Sequence, residues 1–186
     1  FSFTTARNGK TIFGPALGAD FASFYIAGQI LNSPETENLY DIQLQDRLYH
    51  ELLPEASEDE PLPFPYAPFL AVLVRPLSLA SYEVAFGAWL AINLTCYILG
   101  FLLLWRSNLD LTEYSIRTPL LVAVSFAPFL LEGWIGGQSV GLIMLILGFS
   151  IYLHSKGRHW AGGVIPSLCL FKPTLLILVL PMLLVS

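Results

Sequence analysis

VAFGAWLAINLTCYILGFLLLW, residues 84–105, contains no charged side chain. Twenty-two residues of α-helix rise about 33 Å, which matches a hydrocarbon core about 30 Å thick. The stretch predicts a membrane-crossing helix. GWIGGQSVGLIMLILGFSIYL (133–153) is also uncharged. Residues 160–186 are apolar apart from Lys172, which precedes Pro173. That pair is expected to kink or break the segment. Two shorter runs remain: 64–79, interrupted by Arg75-Pro76, and 118–131, bounded by Arg117 and Glu132. The pattern predicts an all-α, polytopic membrane helical bundle.

Composition points the same way. Hydrophobic side chains make up 55% of the 186 residues and charged ones 12%, against roughly 25% charged in an ordinary soluble domain. A net charge of −5 argues against nucleic acid as a partner, which calls for a basic patch. Ten of the 14 acids lie in residues 1–63, with only three basic residues there. We therefore expect two parts: an extracytoplasmic first loop, 1–63, and a transmembrane bundle, 64–186. The chain starts on Phe1 and its last residues, LVLPMLLVS, are still apolar; further helices are expected on both sides. Cys96 and Cys169 lie in apolar runs and read as buried free thiols. No His/Cys cluster has metal-ligand spacing, so neither a metal nor another cofactor is expected.

Within 1–63, Phe21, Phe24, Tyr25, Gly28 and Leu31 fall at helical spacing and predict a short amphipathic helix stopped by Ser33-Pro34. Leu44, Leu48 and Leu52 predict a second one. PEASEDEPLPFP (54–65) is an acidic, proline-rich linker. Two such helices beside a bundle are expected to lie along the bilayer surface. Orientation follows from lysine and arginine. HSKGRH (154–159) is the best basic loop and is assigned to the cytoplasm, with 14–63 outside. An odd number of crossings must separate them, so 64–79 is expected to enter the outer leaflet and return. Arg106 and Arg117 then fall inside, and GWIGGQS (133–139) outside.

Asp20 is the only charge between Lys10 and Glu35. It can cap the following helix, or it can serve as a general base where a carboxylate meets the interface. Asp41 can cap the second helix or bind an acceptor. Tyr25, Tyr40 and Tyr66 are interfacial anchors or substrate contacts. Arg75 and Lys172 are charges inside apolar runs; they either snorkel or contact a lipid-borne phosphate. Gln138, after two glycines, caps or packs a helix, or hydrogen-bonds a sugar or phosphate.

GADFASFYIAGQILNSPETENLYD (18–41) resembles the first outer loop of glycosyltransferase family 87: a Gly-x-Asp, an aromatic helix, a turn, then Leu-Tyr-Asp. FPYAPFLAVLVRPLSLASYEVAFGAWLAINL (64–94) is similar to the family's aromatic, proline-rich entry and Trp-bearing helix. GGQSVGLIMLILGFSIYLHSKGRHWAGGVIPSLCLFKPTLLILVLPML (136–183) resembles its Gly-Gln helix, basic turn and Lys-Pro step, with Val140 where many members carry Asn. The resemblance implies the GT-C membrane fold. It also implies transfer of a hexose, usually mannose, from a polyprenyl-phosphate carrier to a lipid or glycan acceptor outside the cytoplasmic membrane. By position it makes Asp20 the base. Direct displacement with inversion needs one base, unlike retaining glycosidases. A lipid-linked sugar flippase or small-solute transporter is the alternative from another class; it would put its critical charges near the membrane midplane. A non-catalytic scaffold would leave Asp20 a cap.

Overall fold

The structure, a computed structural model, describes residues 18–54, 63–107 and 129–172. Among them every regular element is helical: α1 (Ala19–Leu31), α2 (Ile42–Leu52), α3 (Pro68–Val74), α4 (Tyr82–Arg106), α5 (Val140–Ser155) and α6 (His159–Val164), with short 3₁₀ and π turns. Most of the acidic linker, Arg117, most of the run 118–131 and the segment from Pro173 onward lie outside the described residues. The chain divides into two compact units, Phe1–Leu90 with Trp134–Gln138, and Ala91–Gly133 with Ser139–Ser186.

In the first unit α1 is the core. Phe21, Ala22, Phe24 and Ala27 are fully buried, and Tyr25, Ile26 and Ile30 nearly so. This corrects the expectation of an amphipathic helix resting on lipid. Residues on every side of α1 are covered by protein. Ala22, Ile26 and Ile30 pack on Leu44 and Tyr49 of α2. Phe24 stacks on Tyr66 at 5.0 Å. Phe21 meets Phe86 at 5.5 Å and Trp89 at 5.9 Å. At Gly28 a Cβ would lie 2.8 Å from the Ser78 hydroxyl, so only glycine lets the turn after α3 approach.

α2 is amphipathic as read. Leu44 is buried, Leu48 and Leu52 partly so, but the stripe packs on α1. Asp41 is its N-cap: Oδ1 accepts from the Gln43 and Leu44 amides at 2.9 and 3.1 Å. Gln45 is buried and bonded through both its amide nitrogen and its amide oxygen. Its Nε2 donates to the Leu39 carbonyl at 2.6 Å, and its Oε1 accepts from the Phe64 amide at 2.7 Å. One side chain thus ties the turn before α2 and the chain at Phe64 to α2. α3 spans Pro68–Val74, about 10 Å of rise, and is too short to cross a bilayer.

α4 is 25 residues long, and among the described residues it alone is long and apolar enough to cross a membrane. Only 28% of its most apolar window is buried, unlike the core helix of a soluble domain. Of the other expected crossings, only the run 133–153 lies wholly within the described residues. The run 133–153 becomes α-helical only at Val140, because Gly137 takes a left-handed φ of 79°. Its 16 residues rise about 24 Å.

In the second unit the Ala91–Arg106 part of α4 packs on α5 through glycines. A Cβ on Gly100 would strike the Met144 backbone, one on Gly141 the Asn93 backbone, and one on Gly148 the Gly100 backbone. The buried Asn93 side chain accepts from the Gly141 amide at 3.1 Å. Small residues that admit close backbone approach are the usual seam between helices in lipid. Gly148→Leu should therefore lower stability by at least about 1–3 kcal/mol through overpacking. Gly87→Ala on α4, where nothing lies within 4 Å of the added Cβ, should be neutral or stabilising by about 0.5–1 kcal/mol. Thermal unfolding in detergent checks the pair; equal midpoints would contradict the seam.

Candidate active site

The N-terminal end of α1 is set by Gly18, the N-cap, at φ 75°. Its amide donates to the Ile135 carbonyl at 2.9 Å, and its carbonyl accepts from the Tyr82 hydroxyl at 2.9 Å. A Cβ here would sit 2.7 Å from that hydroxyl. Asp20 is therefore not the cap expected of it. It stands inside the first turn, half-buried, where a carboxylate still complements the helix dipole. Its own carbonyl accepts from Ser23 Oγ at 2.8 Å.

Tyr66 and Gln138 come to this end of α1. Burial, and then the Asp20 carboxylate, push the Tyr66 phenol above its ordinary value, while the Gln138 contact pulls the other way. Tyr66 is thus protonated at neutral pH and able to donate. Its hydroxyl lies 3.5 Å from Gln138 Oε1, a weak bond that an incoming hydroxyl can displace. Gln138 is held by Gly137, whose carbonyl accepts from Trp89 Nε1 at 2.6 Å and whose Cβ position is filled by Phe21. Tyr40, half-exposed, donates to the Tyr66 carbonyl at 2.8 Å and so braces it from behind. The result is a carboxylate, a phenol and an amide over a floor of Phe21, Phe24 and Trp89.

The other candidates are engaged elsewhere. Tyr25 is buried and donates to the Ala80 carbonyl at 2.8 Å; burial, then Glu83, raise its pKa. Asp41 caps α2. Arg75 Nε donates to Asn32 Oδ1 at 2.6 Å, while Asn32 Nδ2 donates to Ser78 Oγ at 2.8 Å. Asn32 is the C-cap of α1, twelve residues from Asp20 and so about 18 Å along the axis. Lys172, half-buried, ends the 3₁₀ turn Ile165–Phe171 in the second unit. Among the described residues no three His, Cys, Asp or Glu side chains gather as a metal site. Sequence reasoning missed Tyr82 and Trp89 as the donors that fix the two glycine carbonyls; the signal was the paired glycines themselves, one ahead of Asp20 and one ahead of Gln138.

The sequence model of glycosyltransferase family 87 matches residues 64–186. The chain belongs to glycosyltransferase family 87. No curated protein and no solved structure matches it. The family match contains Tyr66, Arg75, Gln138 and Lys172 and begins after Asp20, Tyr25, Tyr40 and Asp41. As a glycosyltransferase the chain must accommodate a sugar donor and an acceptor.

Gly18→Ala should cost about 1–2 kcal/mol for a left-handed alanine, with the Tyr82 clash added. Removing that hydroxyl in Gly18→Ala/Tyr82→Phe should recover part of the loss. A double-mutant cycle on thermal stability reads the coupling; strict additivity would mean that Tyr82 does not set the start of α1.

Proposed function

We propose that this family 87 glycosyltransferase moves a hexose, mannose foremost, from a polyprenyl-phosphate carrier to a lipid or glycan acceptor. The reaction takes place on the outer face of the cytoplasmic membrane, in a polytopic GT-C bundle, with HSKGRH inside. The observation that carries the reading is the meeting of Asp20, Tyr66 and Gln138 at one end of a buried helix.

The chemistry needs few groups. Asp20 takes the proton from the acceptor hydroxyl as that oxygen attacks the anomeric carbon. The bond from that carbon to the phosphate oxygen breaks, and the phosphate leaves with the electron pair on its lipid. One displacement inverts the configuration. Tyr66 and Gln138 hold the acceptor, the phenol as donor and the amide as donor or acceptor. The exposed apolar residues of α4, Ile92, Ile98, Leu99 and Leu102 among them, suit a helix in lipid, where the carrier resides. Arg75 and Lys172 remain candidates for contact with the carrier; Arg75, clasped at the far end of α1, suits a lipid headgroup better than the reacting phosphate.

The test uses full-length protein in membranes, polyprenyl-phosphomannose and a host glycolipid extract. Asp20→Asn removes the proton acceptor, which is worth about 10²–10⁴-fold in rate. Since Gly18 is the cap, the same change should shift stability by no more than about 0.3–1 kcal/mol of dipole interaction. Arg75→Gln, at the opposite end of α1, should lower turnover far less than Asp20→Asn. Near-full turnover in Asp20→Asn would defeat the assignment.

A further inference from the structure

The last acidic residue of the sequence is Glu132; from there to Ser186 the charges are Lys156, Arg158 and Lys172, with no carboxylate among them. Two of those cations stand on one turn. α5 ends at Ser155, and Gly157 at φ 75° reverses the chain, with the Gly157 and Arg158 amides returning to the His154 and Leu153 carbonyls at 3.0 and 2.9 Å. The turn is closed by a 3.2 Å contact between His154 Nε2 and His159 Nδ1. This geometry leaves Lys156 and Arg158 exposed on either side of Gly157. Lys156 Nζ lies 5.5 Å from the Tyr152 ring centroid, laid back along the helix rather than paired with an anion.

Directly after the turn comes Trp160, 87% exposed, and one helical turn further Val164, 51% exposed. Leu168 continues the apolar surface at 55%. An indole this bare beside two unpaired cations, with aliphatic side chains leading away from it, is the profile of a group at the boundary between headgroups and hydrocarbon. Uncompensated lysine and arginine at that level attract anionic headgroups.

We infer that the turn Lys156-Gly157-Arg158, with Trp160, is a binding site for an anionic phospholipid. Lys156 and Arg158 engage the phosphate, Trp160 lies at the glycerol level, and Val164 and Leu168 lie along the acyl chains. The inference rests on the membrane reading above and adds a lipid preference distinct from the transfer site.

The whole chain in nanodiscs of mixed phosphatidylcholine and phosphatidylglycerol provides the test. Either lipid is brominated in turn, and tryptophan quenching is read. Subtracting the signal of Trp160→Phe isolates Trp160. Brominated phosphatidylglycerol should quench Trp160 preferentially, by about fivefold in relative affinity for each cation. Lys156→Gln/Arg158→Gln should abolish the preference while quenching by brominated phosphatidylcholine persists. The charge-keeping Lys156→Arg/Arg158→Lys should retain it. Equal quenching by both lipids in the wild type, or a preference that survives the double glutamine variant, overturns the inference and leaves the membrane reading intact. Displacement by inorganic phosphate would make the turn a soluble-anion site and overturn it too. Absence of quenching by either lipid would sink both.

Discussion

The backbone of Gly18 is gripped from both sides: its amide by the Ile135 carbonyl and its carbonyl by the Tyr82 hydroxyl, in a left-handed conformation with no room for a Cβ. α1 starts where it does because of that grip. Asp20 follows two residues later, in the first turn that this geometry sets. The same device recurs at Gly137, left-handed and pressed against Phe21, its carbonyl held by Trp89. Two glycine anchors thus deliver a carboxylate and an amide onto one aromatic floor, and the stacking of Phe24 on Tyr66 brings the phenol between them. In the function proposed above, groups held this rigidly would favour the positioning of an acceptor hydroxyl.

The membrane-directed features have another origin. Glycine removes side chains from the seam between α4 and α5, so that backbones touch, and the large aliphatic residues are pushed outward. This is the reverse of a soluble core, where large residues face in. It follows that Ile92, Ile98, Leu99 and Leu102 of α4 lie open, while Phe86, Trp89 and Leu90 nearer its start are buried.

Much of this was legible beforehand. The charge-free stretch 84–105 announced α4 to within two residues at its start, and Asp41 followed by a leucine stripe announced a capped α2. Of the candidate residues, Asp20, Tyr66 and Gln138 come together at one end of α1, while Tyr25, Asp41, Arg75 and Lys172 have other places. What could not be read was burial. Phe21, Phe24 and Tyr25 have helical spacing, and spacing alone cannot tell one covered face from a helix covered on all sides. Tertiary contacts from Phe64, Tyr66, Phe86 and Trp89, distant in sequence, decided it. Nor does sequence reveal which end of a helix a distant arginine reaches; Arg75 was grouped with Lys172 as a charge inside an apolar run, and its bond to Asn32 puts it at the opposite end of α1 from Asp20.

The pH dependence of turnover in wild type and Asp20→Asn, with saturating polyprenyl-phosphomannose, tests the central claim most directly. A carboxylate base must be ionised to act. The account predicts a wild-type rate that falls on acidification with the loss of one deprotonated group, and an Asp20→Asn rate that is low and flat across the same range. An Asp20→Asn enzyme that keeps the wild-type acidic limb would contradict it, since the titrating base would then be another residue.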